Sequence, residues 1–185
     1  MMLYHVSFVE IPEGHFYPRI PSLTGPFEDK TIPRICFSRT IEGAITAMPQ
    51  GAKALKTILK LQRKNKLIAL FHLYTIEENN LPQKNLWHPN RVQRYVVDAN
   101  YTGETWILNQ DVFCYHETIL ISNAEIVEGI DIYGEKMAEV VSLEWKIVSS
   151  IPDQLTPNRL MEKCQVDVCT LRSALAEWDS YAEVL

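Results

Sequence analysis

The sequence predicts an α+β fold: a mostly antiparallel, split or curved sheet with packed helices and a helical C-terminal tail. Three observations carry this expectation. Between residues 91 and 132, apolar runs are separated only by short turn signals such as Thr102-Gly103 and Asn109-Gln110, which suits antiparallel pairing. Residues 41–47 and 51–65 instead repeat apolar side chains at helical spacing. Strands and helices are also grouped rather than alternating, which argues against a regular βαβ winding.

The first strand is expected at residues 3–9, where alternation sets His5 and Ser7 on one face and Tyr4, Val6 and Phe8 on the other. That gives the polar pair a surface of its own. Residues 11–31 form a loop rich in Pro and Gly that bears His15, Tyr17 and Arg19, too long for a simple turn. Residues 33–38 read as a short strand, with Arg34 forming a surface ion pair unless it has a ligand, and Thr40 as the cap of the helix at 41–47. In the helix at 51–65, Ala54, Leu55, Ile58, Leu59 and Leu61 recur on one side and lysines on the other. A strongly apolar strand at 67–76 ends in Glu77-Glu78-Asn79-Asn80. Strands follow at 91–98, 104–108, 112–122, 124–132 and 140–148, with Trp106 and Trp145 as core aromatics. Beyond Pro152, Thr156-Pro157 has the order of a helix start, and Val168, Leu171, Leu175 and Trp178 form an apolar stripe. The stripe either docks the tail on the sheet or serves as a homodimer or partner surface. The expected organisation is a domain over 1–150 and a helical tail over 151–185 packed on it.

The chain has 185 residues, 46% hydrophobic and 22% charged, which excludes a mostly disordered or collagen-like chain. Cys36, Cys114, Cys164 and Cys169 form no CxxC pair and match no usual zinc spacing, so reduced thiols and no metal are expected. The first residues lack the basic start and apolar run of a secretion signal, and no stretch has the length of a membrane span, so a cytoplasmic location is expected. The net charge is −5, yet residues 51–66 carry six basic side chains and no acidic one. The rest of the chain is correspondingly acidic.

No Walker loop, GxGxxG, HExxH or GxSxG occurs, which removes the usual support for P-loop, Rossmann, zincin and hydrolase chemistry. Cys36 with His72 or His116 as a nucleophilic pair rests on composition alone. Three blocks are more specific. Leu3-Tyr4-His5-Val6-Ser7 places a histidine and a hydroxyl on one strand; the segment from Arg34 through Ser38 to Ala44 is a strand ending in Ser before a helix of small residues; Gly103-Glu104-Thr105-Trp106 opens a strand with a carboxylate.

Together these blocks, within residues 1–125, resemble ADP-ribosyltransferase-like proteins, small phage-encoded members among them. Val6 stands where the family usually has Gly. The resemblance implies NAD as co-substrate, no metal, and transfer of ADP-ribose to a macromolecular target, with an anti-defence role for a phage-encoded protein. It casts His5 as the contact to the nicotinamide ribose and Glu104 as the catalytic carboxylate. Ser7 and Ser38 would belong to the cofactor site, Ser38 lining the nicotinamide pocket, and Arg19 or Arg34 would face the pyrophosphate. The rival is a non-catalytic inhibitor of a bacterial nucleic-acid-handling or defence complex, which would use Lys53, Lys56, Lys60 and Lys64 to address phosphates or an acidic surface.

Overall fold

A computed structural model of the protein describes residues 1–21, 28–48, 51–63, 69–130 and 136–148. The tail predicted at 151–185, with its apolar stripe, Cys164 and Cys169, lies outside the described residues, as does Lys64. In chain order the strands are β1 (Met2–Ser7), β2 (His15–Phe16), β3 (Ile35–Phe37), β4 (Leu70–Glu77), β5 (Leu86–Trp87), β6 (Thr105–Ile107), β7 (Val112–Phe113), β8 (Tyr115–Ile130) and β9 (Lys136–Ile147). The helices are α1 (Ile41–Ala47), α2 (Gly51–Gln62), α3 (Pro89–Val92) and α4 (Ala99–Thr102). No described helix is long and apolar enough to cross a membrane.

The architecture is α+β, and every ladder among the described residues is antiparallel. Two sheets dominate, a four-stranded one in the order β1-β4-β8-β9 and a three-stranded one in the order β3-β6-β5, with β2 and β7 paired separately. Reciprocal hydrogen bonds between the backbones of Tyr4 and Ser38, both 2.8 Å, tie β1 to the end of β3 and so join the sheets.

Alternation along each strand divides the apolar residues among three cores. The first lies between the four-stranded sheet and the two longer helices, and includes Val6, Phe71, Leu73, Ile119 and Ile121 with Ile45, Leu55 and Leu59. The second lies between the sheets, where Leu3 and Tyr74 meet Phe16, Ile35, Phe37 and Ile107. The third covers the outer face of the three-stranded sheet with Val92, Val96 and Ala99 over Trp106 and Leu108. Both faces of β1 are therefore covered. His5 and Ser7 share their face with Leu3 and the second core, and do not have a polar surface of their own.

Local sequence accounts for the helix starts. The Thr40 side chain accepts from the Gly43 amide at 3.0 Å, capping α1 as expected. Gly43 then lets α1 approach α4 closely, because a Cβ there would stand 2.0 Å from the Thr102 carbonyl oxygen. The strand expected at 91–98 is not formed. The segment starts as a helix at Pro89, and Val92, Val96 and Ala99, spaced at helical intervals, are all buried on one side. The two strands expected at 112–122 and 124–132 are instead the short β7 and a single long β8, in which register shifts after Ile121 and Glu125 absorb the polar break at Ser122-Asn123. The loop at 11–31 contains β2 and a strained turn, Glu13 and Gly14 both having positive φ.

Candidate active site

Arg34 and Cys36 alternate onto the outer face of the three-stranded sheet, and Cys36 pairs with Trp106 across the β3–β6 ladder. Glu104 and Trp106, two residues apart, share that face. One step beyond the last ladder pair, Phe37 with Thr105, the register sets Ser38 opposite Glu104. The three-stranded sheet thus gathers Arg34, Ser38 and Glu104, predicted from separate parts of the sequence, on one face.

Glu104 is buried, and its Oε1 accepts from the Trp106 indole Nε1 at 2.6 Å. Burial raises its pKa from the ordinary 4.5 to about 7, with the indole hydrogen bond acting in the opposite direction. Neither a solvated strand end nor a fully ionised carboxylate describes it at neutral pH. Arg34 is also buried, not part of a surface ion pair. Its guanidinium sits 4.0 Å above the Trp106 ring, and Nη1 donates to the carbonyls of Asp29 and Ile32 at 3.0 and 3.1 Å. Arg34 Nε is buried and has no hydrogen-bond partner among the described residues. Trp87 stacks beside Trp106 with ring centroids 5.9 Å apart, and Arg91 lies 3.7 Å over Trp87. The outer face is therefore a cation and indole stack with one carboxyl in it.

Ser38 is buried, and its hydroxyl donates to the Thr102 carbonyl, fastening the end of β3 to α4. Arg19 is exposed; its backbone pairs with that of Arg34 through bonds of 3.2 and 2.9 Å, which sets the two candidate pyrophosphate contacts side by side in the chain path.

His5 lies on the other side of β3. Its Nδ1 meets the Cys36 carbonyl oxygen at 3.0 Å, and its ring packs edge-on against Phe16 and Phe37 at 4.9 and 5.9 Å. Burial lowers its pKa, so the ring is neutral at pH 7. The Cys36 side chain meets Glu104 on the outer face, so β3 stands between the two residues cast as catalytic. Ser7 turns its hydroxyl onto the Val9 carbonyl at 2.7 Å, closing a local turn at the strand end.

Burial, and then Glu104, push the Cys36 thiol well above its usual pKa, and burial pushes Cys114 up to about 12; neither is an activated nucleophile. Trp145 is 41% exposed on β9 and is not a core aromatic, unlike Trp106.

The basic helix is partly compensated within the chain. Lys56 Nζ lies 2.6 Å from Glu128 on β8, and Lys56, Lys60 and Lys53 all help to hold that carboxyl below its usual pKa. These lysines face the Glu128 carboxylate as well as open solvent.

Sequence reasoning missed the indole stack, because Trp87 and Arg91 are remote from the matched blocks. The signal available was Trp87 four residues before Arg91, with Arg34 and Trp106 in two further segments that pair in space. No protein-family model matches the chain, and no match was found among curated proteins or solved structures.

Proposed function

We propose that the protein transfers ADP-ribose from NAD to a macromolecular acceptor. The observation that carries this reading is the adjacency of the three resembling blocks: β1 with His5, β3 followed by Ser38 and β6 preceded by Glu104 come from three separate regions and lie side by side. Such transfer needs a carboxyl group near the reacting ribose, a cation toward the pyrophosphate and a pocket for the nicotinamide. Glu104 supplies the carboxyl at a pKa close to 7, suited to orienting an acceptor and taking its proton. The Nε of Arg34, without a partner among the described residues, supplies a buried donor on the same face. His5, on the inner side, positions the Cys36 carbonyl and hence β3, a role through backbone rather than direct contact with Glu104.

The test is release of nicotinamide from NAD, with water as acceptor, by wild type and by Glu104→Gln. Loss of at least about 100-fold in the variant, with unchanged circular dichroism, is the expected result. Equal rates, or no release by either together with no labelling of a bacterial lysate by tagged NAD, would overturn the proposal.

A further inference from the structure

The four-stranded sheet holds a second group of polar rings that the site above does not use. Register sets Ser7 opposite His72, His5 opposite Tyr74, Tyr74 opposite His116 and His72 opposite Thr118. His72 on β4 and His116 on β8 are thus diagonal neighbours on one face, within reach of each other. His72 Nδ1 lies 2.9 Å from His116 Nε2. The His116 ring stacks on buried Tyr74 with centroids 4.7 Å apart and planes at 14°. Tyr74 is fixed in turn, its hydroxyl accepting from the Ile11 amide at 2.5 Å. Two half-buried imidazoles are therefore held on rigid strands with a nitrogen of each aimed at the other.

We propose that His72 and His116 form a two-histidine site for a borderline divalent cation of the Zn2+ type. Imidazole nitrogen is a preferred donor for such ions. Two nitrogens at about 2.0–2.1 Å from a tetrahedral centre stand about 3.3–3.4 Å apart, so parting the rings by roughly half an ångström admits the ion. Small side-chain rotations supply that, because both rings are only half-buried. Glu10 is exposed on the same side, close enough for its charge to act on both His72 and Tyr74, and it makes the surroundings favourable to a cation. Among the described residues no three His, Cys, Asp or Glu side chains converge. The ion therefore keeps open positions for water, and its affinity is weaker than that of a closed structural site. The site is independent of the NAD proposal.

The experiment is zinc titration of the full chain. His5, His15, His88 and four cysteines offer competing ligands, so the readout is residue-specific: nitrogen NMR of the imidazole rings with ZnCl2 up to one equivalent. The expected result is that His72 and His116 shift first, and that His72→Gln and His116→Gln each weaken zinc binding at least tenfold by calorimetry. Ring signals of His72 and His116 that do not move, binding carried by other histidines or cysteines, or unchanged affinity in both variants would overturn the proposal. The wild-type spectrum decides the matter even where a variant fails to fold.

Discussion

Trp106 Nε1 donates to Glu104 Oε1 at 2.6 Å, two residues back along the chain, and the carboxyl is buried. The bond satisfies one oxygen without supplying a countercharge. Desolvation therefore outweighs it, and the carboxyl's pKa rises to about 7.

This has a consequence for stability. Since the folded state holds the Glu104 proton more tightly than the unfolded chain, the associated stabilisation is complete below about pH 4.5 and is lost as pH rises through about 7. The shift corresponds to about 3 kcal/mol at its upper end. Glu104→Gln keeps an acceptor for the indole and removes the titration. In urea unfolding, the variant should gain on wild type between pH 5 and pH 8 by up to about 3 kcal/mol. A constant difference across that range would contradict the buried, protonated carboxyl.

Gly43→Ala sets two effects against each other. Helix propensity alone favours Ala by about 1 kcal/mol. The added Cβ, however, would stand 2.0 Å from the Thr102 carbonyl oxygen and 2.5 Å from Ser38 Oγ, and the nearer atom is backbone, which cannot swing away. Steric overlap should win, with a net loss of about 2 kcal/mol or more by thermal or urea unfolding. Equal or greater stability would show that α1 does not pack against α4 in this way.

Lys53, Lys56 and Lys60 face Glu128 on β8 as well as solvent. Under a binding role for α2, replacing all three with Gln should weaken association with an acidic partner or nucleic acid and flatten its salt dependence. Glu128→Gln should strengthen the same association by releasing Lys56. Affinities measured at two salt concentrations check both; unchanged values leave α2 with only its internal pairing.

Much of the fold is legible in the sequence where one physical signal dominates. Thr40 before a short apolar-periodic run marks α1, and the apolar run ending at Glu77 marks β4. Residues 91–98 mislead because Val92, Tyr95, Val96 and Val97 suit either period, and tertiary cover of the three-stranded sheet settles the segment as helical turns. Ser122-Asn123 resembles a turn, yet a bulge keeps β8 running through it. For the site, alternation correctly separates His5 from Tyr4, but it gives no information on which sheet covers each face. Hence Arg34 and Glu104 appear solvent-facing in the sequence and are buried against Trp106, which is remote from Arg34 in the chain and pairs through β3 and β6. His72 and His116 carry no motif at all. Only the β4–β8 register brings them together.

The most direct measurement is calorimetric titration of NAD into the wild-type chain, with Arg34→Met alongside. The account predicts saturable binding with one site in wild type and at least about tenfold weaker binding in the variant, which keeps much of the apolar stem but loses the buried charge and its donors. No heat of binding by well-folded wild type would contradict the NAD proposal itself, and equal affinities would remove Arg34 and the outer face of β3 from the cofactor site.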